Sequence, residues 1–362
     1  MRAVMALSGG MDSTALLCRL LADGYEVSCI SYDYGQKHVI EIERAKVNIA
    51  YLSGHGITVE HTIVDLSGVM GIFHSALTND DIDIPEGHYE EEQMKATVVP
   101  NRNAIFSSIL YGYALSIAIK EDTDVIIGLG VHSGDHEIYP DCRPEFYESL
   151  GESFAIGNWD SERISFHLPY IDGDKETILK DALESCNKLN IDFDTIFRNT
   201  NTSYNPDGDG RSSGTSGADV ERILAFHAIG REDPVEYVTS WHEVLQGALK
   251  AQLRFHVMKQ NGTERPFTGK FDKHFEAGIY NCADCGISLF DSDSKFDSGC
   301  GWPAFSEEIE DANIEQIIDT SHGMRRIEVR CSNCDSHLGH LFHEARGPRY
   351  CINSICLDFQ GE

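Results

Sequence analysis

Short apolar segments alternate with longer segments of helical periodicity over the first 130 residues. Four segments are short and mainly apolar, as expected for buried strands: RAVMAL, YEVSCISYDYG, ITVEHTIVDL and TDVIIGLGV. The segments between them repeat apolar residues every three or four positions: SGGMDSTALLCRLLADG, HVIEIERAKVNIAYLSGHG and RNAIFSSILYGYALSIAIKED. This alternation predicts a parallel sheet covered by helices on both faces, with ligands bound at the carboxyl ends of its strands.

The pattern changes from about Trp241. Beyond this point the chain shows short β-type segments broken by turn residues, such as IYNCADCGISLFDS, MRRIEVRCSNC and RYCINSICLDF. We therefore expect two domains, residues 1–239 and residues 240–362, with almost no linker. The first is predicted to be an α/β, Rossmann-like domain with a parallel sheet, and the second a mainly antiparallel β domain.

Composition and charge exclude several classes of protein. No segment of about 18 apolar residues occurs, which argues against a membrane span, and the first residues lack the features of a secretory signal. We therefore expect a cytoplasmic protein whose eleven cysteines are reduced. The formal charge of −30 repels phosphate backbones and argues against direct binding of nucleic acid.

The segment LSGGMDST, residues 7–14, joins the first predicted strand to the first predicted helix. Its two glycines allow backbone N–H groups to close around an anion, and the helix N-terminus adds a favourable dipole. The hydroxyl groups of Ser8, Ser13 and Thr14 are further donors to phosphate oxygens. Because the segment lacks the lysine of G-x-x-x-x-G-K-[ST], it is a phosphate-binding loop of another kind. The alternative is an ordinary strand–helix turn.

This loop resembles that of the PP-loop ATP pyrophosphatases. Further segments narrow the resemblance to 7-cyano-7-deazaguanine synthase over nearly all of residues 1–238: YDYGQKH, VVPNRNAIF, IIGLGVHSGDHEIYPDCRPEF and GREDPVEY. The resemblance implies ATP and Mg²⁺ as cofactors. It also implies a reaction of queuosine biosynthesis, in which 7-carboxy-7-deazaguanine and ammonia give first an amide and then a nitrile.

The resemblance further implies roles for individual residues of the first domain. Phosphate would be held by Ser8, Gly9, Gly10, Met11, Asp12, Ser13 and Thr14. Arg102 and Asn103 would hold the nucleotide or the substrate, and Asp12 would act through Mg²⁺. The polar edge of the purine-like ring would be met by Asp135, Asp141 and Arg143, any one of which could instead pair with another. Cys142 is either a buried structural thiol or a catalytic one.

The family implied by this resemblance normally carries a zinc site before its last helix, with the pattern C…CGxCxxCxxR. When the pattern is aligned on Arg222, the four ligand positions fall on Ser203, Ser213, Ser216 and Asp219. Serine hydroxyls are poor zinc ligands, and one carboxylate cannot hold the ion alone. We therefore expect a metal site that has lost its ligands, and we favour a segment held by other contacts over a mobile one.

Two CxxC pairs lie in the second domain: Cys282 with Cys285, and Cys331 with Cys334. Four thiolates at tetrahedral positions form a closed zinc site that needs no fifth donor. We therefore expect one zinc ion per chain, bound by these four residues in a structural role.

The second domain resembles methionine-(R)-sulfoxide reductase in the segments NGTERPFTGKF, KFDSGCGWPAF, SHGMRRIEVRC, CDSHLGHLF and RYCINSIC. The resemblance implies that Cys351 attacks the sulfoxide sulfur and becomes a sulfenic acid. Cys300 would then resolve it into a disulfide, which thioredoxin reduces. The residues implied to hold water, deliver protons or contact the substrate methyl group are His337, His340, Asn353 and Trp302.

The sequence thus predicts a bifunctional enzyme. One site would take 7-carboxy-7-deazaguanine, ammonia and ATP, and the other would take oxidised peptides or proteins. An alternative keeps the reductase but gives the first domain an altered activity, so that it stops at the amide, uses another amine, or only binds nucleotide. The sequence leaves open whether the chain forms a homodimer.

Overall fold

The computed structural model describes residues 1–37, 40–79, 81–82, 92–135, 138–203, 206–310, 313–345 and 347–361, without the side chains of Glu92, Gln93, Asp135 and His322. Within these residues, no helix has the length and apolar character needed to cross a membrane. The chain divides into two compact units, Met1–Ala248 and Leu249–Glu362. The division falls inside the helix Trp241–Lys259. The domain boundary expected after residue 239 stays a prediction.

The first unit is built on a five-stranded parallel sheet. Its strands are β1 (Arg2–Ala6), β2 (Glu26–Asp33), β3 (Glu60–Asp65), β4 (Val125–Gly128) and β5 (Ile164–His167). Their order is β3-β2-β1-β4-β5, and each neighbouring pair is parallel. The α/β fold expected from the sequence is thereby confirmed. Because the strand order reverses at β1, the loop after β1 opens into the crevice where such sheets bind ligands.

Helices cover both faces of this sheet. They are α1 (Met11–Ala22), α2 (Ile40–Gly54), α3 (Ser67–Met70), α4 (Arg102–Glu121), α5 (Pro144–Gly157), α6 (Lys175–Leu189), α7 (Phe193–Arg198) and α8 (Gly217–Ala228). The helix at the division between the units, Trp241–Lys259, is α9. Side chains of β1 alternate between the two cores. Ala3 and Met5 pack with residues of α1 and α6, whereas Val4 packs with residues of α4. Both faces are therefore buried, which explains the continuous apolar character of RAVMAL.

The second unit contains two antiparallel sheets. Its strands are β6 (Gly278–Cys282), β7 (Ser288–Asp291), β8 (Lys295–Phe296), β9 (Ala304–Phe305), β10 (Ile314–Asp319), β11 (Arg326–Cys331), β12 (His337–Glu344), β13 (Gly347–Ile352) and β14 (Leu357–Gly361). One sheet has the order β10-β11-β12-β13-β9-β8 and the other β14-β6-β7. Residues of both sheets share one core, which includes Tyr280, Phe305 and Leu338. The antiparallel architecture expected for this part of the chain is confirmed.

Candidate functional sites

The loop between β1 and α1 closes around the N-terminus of α1. Gly9 has φ of +91°, and a Cβ atom there would lie 1.9 Å from the backbone oxygen of Glu41, so only glycine fits. The hydroxyl oxygens of Ser8 and Ser13 lie 3.0 Å apart, and the Gly10 amide donates to Ser8 Oγ at 3.1 Å. The loop is therefore a pre-formed set of hydroxyl and amide groups at a helix N-terminus, an arrangement that binds phosphate.

A buried cluster of charged residues lies beside this loop. Nζ of Lys175, the first residue of α6, lies 2.8 Å from Asp12 Oδ2, 3.4 Å from Glu221 Oε2 and 3.0 Å from His132 Nε2. Burial raises the pKa of Asp12, but Lys175 and His132 lower it, so that it falls below its usual value. The other oxygen, Asp12 Oδ1, is buried without a hydrogen-bond partner among the described residues. Such a carboxylate oxygen beside a phosphate-binding loop fits the ligand preference of Mg²⁺.

The loop and the charged cluster border a cavity of about 230 Å³. Gly130, which follows β4, allows its own backbone to lie close to that of Asp12 in α1. A Cβ atom at this position would lie 3.0 Å from the Asp12 backbone. One wall is aromatic, because the rings of Tyr32 and Phe106 stack with their centroids 4.0 Å apart. A flat apolar wall in the same cavity as phosphate-binding groups suits a planar base.

Most of the predicted phosphate and substrate residues border this cavity. Those that line it are Ser8, Gly10, Met11, Asp12, Ser13, Arg102 and Asn103. Those that are described but do not line it are Gly9, Thr14, Asp141 and Arg143. Asp141 instead accepts a hydrogen bond from the Asn103 amide at 3.2 Å, and Arg143 is exposed before α5. The side chain of Asp135 lies outside the described residues. Cys142 lines the cavity, and Asn103 Nδ2 donates to its sulfur at 3.3 Å.

Three charged residues of the cavity wall were not predicted from the sequence: Glu41, Lys175 and Glu221. Glu41 is buried in the first turn of α2, and burial raises its pKa to about 8, although Gln36 and Arg102 lower it. Lys175 is only 6 % exposed. Glu41 and Lys175 stand in polar segments at the start of a helix, where a charged side chain ordinarily faces solvent, and Glu221 stands within α8. Their place in the cavity follows from the packing of the unit and has no local sequence signal.

The four cysteines of the CxxC pairs meet in the second unit. The Sγ atoms of Cys282 and Cys334 lie 3.7 Å apart and those of Cys285 and Cys331 lie 3.6 Å apart, and all four lie within 4.8 Å of one another. Cys282 ends β6 and Cys331 ends β11, so each pair stands on a turn that follows a strand. Four thiols at this spacing fit a closed, structural zinc site.

A second pair of cysteines lies apart from these four. Sγ of Cys351, on β13, lies 3.8 Å from Sγ of Cys300, which stands in the loop before β9. A disulfide bond needs a distance of about 2.05 Å, so small side-chain movements bring the pair within bonding reach. Burial raises the pKa of Cys351 to about 12 with a contribution from Cys300, whereas Arg349 lowers it. The reduced protein therefore holds Cys351 as a thiol with a cation nearby.

His337 and His340 share one side of β12, although residues three apart on a regular strand face opposite ways. The register between β11 and β12 shifts between Val329 and Arg330, and the two imidazole centroids lie 5.5 Å apart. His340 is the cross-strand neighbour of Cys351 on β13. Because cross-strand neighbours share a face, the imidazole of His340 and the thiol lie on the same face of the sheet.

Each of these histidines pairs with a carboxylate that the sequence analysis did not identify. Nδ1 of His337 lies 2.7 Å from Glu328 Oε1, and Nε2 of His340 lies 3.0 Å from Asp319 Oδ2. Burial lowers the pKa of His337 below its usual value, although Glu328 raises it. The neutral ring therefore directs Nδ1–H at Glu328 and leaves Nε2 as an acceptor, which has no partner among the described residues. Glu328 stands in the alternating segment RIEVRC, where nothing local distinguishes it from a surface residue.

Asn353 and Trp302 both bind the segment around Glu264. Asn353 Oδ1 accepts from the Glu264 amide, and its Nδ2 donates to the Leu338 carbonyl, each at 3.1 Å. Trp302 Nε1 donates to the Glu264 carbonyl at 3.1 Å, and the Glu264 carboxylate accepts from the Ile355 amide at 3.1 Å. These bonds connect the segment around Glu264 to the loop that holds Trp302 and to the residues that follow Cys351 in the chain. The roles of Asn353 and Trp302 toward a substrate stay predictions.

Comparison with known proteins identifies both parts of the chain. Residues 2–230 match the queuosine biosynthesis protein QueC. The chain belongs to the QueC family. It is 41 % identical over 236 residues to 7-cyano-7-deazaguanine synthase 1 of Colwellia psychrerythraea, which covers 65 % of this chain and 98 % of that protein. It is 43 % identical over 237 residues to the 7-cyano-7-deazaguanine synthase of Methanoregula boonei, with coverage of 66 % and 99 %.

Residues 250–361 match the SelR domain, the methionine-(R)-sulfoxide reductase domain. This member of the QueC family therefore carries a second catalytic domain, and the resemblances stated from the sequence motifs are confirmed for both parts. A QueC-family ligase and a SelR reductase are both enzymes.

Proposed function

We propose that this QueC-family chain carries out two reactions in the cytoplasm. Residues 1–239 convert 7-carboxy-7-deazaguanine and ammonia to 7-cyano-7-deazaguanine at the expense of ATP. Residues 240–362 reduce methionine (R)-sulfoxide in oxidised peptides or proteins, with thioredoxin as the reductant. The first proposal is supported by a phosphate loop and an aromatic wall in one cavity. The second is supported by the 3.8 Å approach of Cys300 and Cys351.

In the first reaction the substrate carboxylate attacks the α-phosphorus of ATP, and pyrophosphate leaves. Ser8, Ser13 and the amides at the start of α1 hold the leaving group, while Lys175 neutralises the charge that develops on it. Asp12 would hold Mg²⁺, which supplies further positive charge to the phosphates when it is bound.

Ammonia then displaces AMP from the acyl-adenylate and gives the amide. A second ATP adenylates the amide oxygen, and loss of AMP and a proton leaves the nitrile. Arg102 and Asn103, at the start of α4, hold the substrate while its planar ring lies against Tyr32 and Phe106. Burial of the ring excludes water, which would otherwise hydrolyse the acyl-adenylate.

In the second reaction Cys351 Sγ attacks the sulfoxide sulfur. Through bound water, Nε2 of His337 takes up the Cys351 thiol proton, and His337 and His340 pass it on to the sulfoxide oxygen. That oxygen moves to Cys351 as methionine leaves, so that Cys351 is left as a sulfenic acid. Cys300 attacks that sulfur, so that water is released and a disulfide forms. A thioredoxin dithiol reduces the disulfide, and its two electrons balance those taken up by the sulfoxide. Trp302 offers an aromatic face to the methyl group of the substrate.

One assay tests the first reaction. The full chain is supplied with 7-carboxy-7-deazaguanine, ammonia and Mg-ATP, and the products are identified by mass. The nitrile with two AMP per product is expected. The amide as the final product supports the alternative of a ligase that stops there, and no release of AMP refutes acyl activation.

A pair of lysine variants then tests the cavity. Lys175→Ala is expected to slow AMP formation by at least about 100-fold, because it removes a buried cation beside the phosphates. Lys180→Ala, on the same helix but with a side chain 62 % exposed, is the matched control and should be unchanged. Equal rates for the two variants would contradict the role of Lys175.

Two cysteine variants test the second reaction. Cys351→Ser should abolish reduction of the R epimer of methionine sulfoxide, because a serine hydroxyl cannot form the sulfenic acid. Cys300→Ser should release one methionine per chain and then stall with thioredoxin. Cys356→Ser is the control, since this buried thiol donates to the His337 carbonyl, a bond that a serine hydroxyl can also make. Continued turnover by Cys351→Ser would refute the assignment.

A further inference from the structure

Four polar side chains converge at the start of α8, and we call them the serine–aspartate cluster: Ser203, Ser213, Ser216 and Asp219. In the alignment on Arg222 that the family resemblance implies, they occupy the positions of the zinc-binding cysteines. The three serine hydroxyls donate to one atom, Asp219 Oδ2, at 2.9, 2.8 and 2.8 Å. The amides of Gly214 and Ser216 donate to the same oxygen at 3.2 and 3.3 Å. Five donors from residues 203–216 therefore meet at a single carboxylate oxygen.

The position of Asp219 in α8 explains why it can serve as this acceptor. Ser216 is the N-cap of the helix and Asp219 is its third residue, and the two form a capping box. The carboxylate therefore lies at the positive end of the helix dipole. Asp219 is fully buried and Ser203 is as well. The helix start thus holds in place a charge that burial alone would disfavour.

The donor set of this cluster does not fit zinc. In the second unit, the neighbouring sulfur atoms of the four cysteines are 3.6–3.7 Å apart, which leaves room for an ion at about 2.3 Å from each. In the serine–aspartate cluster the centre is already taken by Asp219 Oδ2, at hydrogen-bond distance from every hydroxyl. A zinc ion here would have one anionic ligand and three neutral ones, which leaves positive charge uncompensated in a buried site.

Arg222 adds a second metal-free connection one turn further along α8. It is 1 % exposed and donates to Asp233 through Nε at 2.5 Å and Nη2 at 2.8 Å. Its Nη1 donates to Thr200 Oγ1 at 2.7 Å. The chain before the cluster and the chain after α8 are therefore both tied to this helix, by hydrogen bonds to Thr200 and by a buried ion pair with Asp233.

We propose that the Asp219 carboxylate takes the structural place of the zinc ion, so that the first unit folds and acts without zinc. Removal of zinc from this chain then affects the four-cysteine site of the second unit only. The proposal concerns the structure of the first unit and rests on the proposed ligase function only where that activity is measured.

The metal content of the full chain is the first test. Wild-type protein is expected to hold one zinc per chain, and Cys282→Ser/Cys331→Ser none. Cobalt(II) in place of zinc should show only the spectrum of tetrahedral thiolate coordination. Two zinc ions per wild-type chain, or one on the double variant, would overturn the proposal.

Hydrogen exchange of α8, followed by mass spectrometry of its peptides, is the second test. Asp219→Asn should speed exchange in residues 217–228 at least about tenfold, because the amide group cannot accept from all five donors. Asp209→Asn, at a residue of the same segment with a side chain 83 % exposed, is the matched control and should not change it. Unchanged exchange in Asp219→Asn would refute the role of this carboxylate.

Chelation separates this proposal from the proposed function. Treatment of wild-type protein with a zinc chelator should leave exchange in α8 unchanged, and faster exchange would overturn the proposal. AMP formation should persist after chelation once Mg²⁺ is restored. A protein that never forms AMP, before or after chelation, refutes the ligase function but leaves the exchange result to decide the role of Asp219.

Discussion

Replacing Glu328 with glutamine tests how the second unit sets the protonation state of His337. Glu328 Oε1 lies 2.7 Å from His337 Nδ1 and also accepts from Arg330 Nε at 2.9 Å. Its side chain is 13 % exposed, so water screens these interactions little. A glutamine offers both donors a neutral amide oxygen, so that His337 keeps its tautomer but loses the negative charge that favours its imidazolium form. Arg330 keeps its bonds to Asp335 at 2.7 Å and to Asn261 Oδ1 at 2.8 Å.

Two effects of Glu328→Gln act in the same direction. Loss of a hydrogen bond to a charged group costs about 1.5–3 kcal/mol, which is roughly a 10- to 150-fold change in rate if the bond is needed in the transition state. In addition, Glu328 raises the pKa of His337, so its removal lowers that pKa further. The imidazolium form then appears only at lower pH. We expect kcat to fall about 100-fold and KM to change less than about threefold.

The assay is reduction of a peptide containing the R epimer of methionine sulfoxide, with thioredoxin in excess, across a range of pH. Glu315→Gln, at an exposed residue of β10, is the matched control and should behave as wild type. Glu328→Asp keeps a carboxylate and should recover part of kcat. If Glu328→Gln keeps its kcat within about threefold and its pH profile does not move, the role assigned to this carboxylate is wrong.

Two further predictions concern stability. Asp233→Asn removes the charge partner of the buried Arg222 and should lower the free energy of unfolding of the first unit by about 3–5 kcal/mol in urea. Asp194→Asn, which breaks the exposed pair with Arg231, should cost less than about 1 kcal/mol, and equal losses would contradict the argument. Burial raises the pKa of Cys351 to about 12, so the native state keeps a proton that the unfolded chain loses above its ordinary thiol pKa of 9.0. Below pH 9.0 this stabilisation is complete, and it is lost as the pH rises from 9.0 to about 12. Relative to Cys351→Ala, wild-type stability should therefore fall by up to about 1.4 kcal/mol per pH unit, and parallel pH profiles would refute this.

The sequence by itself determined the fold class and most of the residues that carry the proposed chemistry. The alternation of apolar strands with helical periodicity predicts the parallel sheet, because burial on both faces leaves its mark in every strand. The loop LSGGMDST and the two CxxC pairs can also be recognised from the sequence, because the hydroxyl groups of the loop and the two thiols of each pair stand at neighbouring positions of the chain. Local spacing is enough to recognise a site whose ligands are adjacent in sequence.

The tertiary structure alone decided which charged residues support those sites. Lys175 reaches Asp12 across 163 positions of the chain, and Glu328 reaches His337 across a strand pair with a shifted register. The family resemblance also predicts that zinc ligands are missing before α8, but only the structure shows three serine hydroxyls sharing the Asp219 carboxylate. A buried charge needs a partner, and packing of distant segments selects that partner, so no local pattern reveals it.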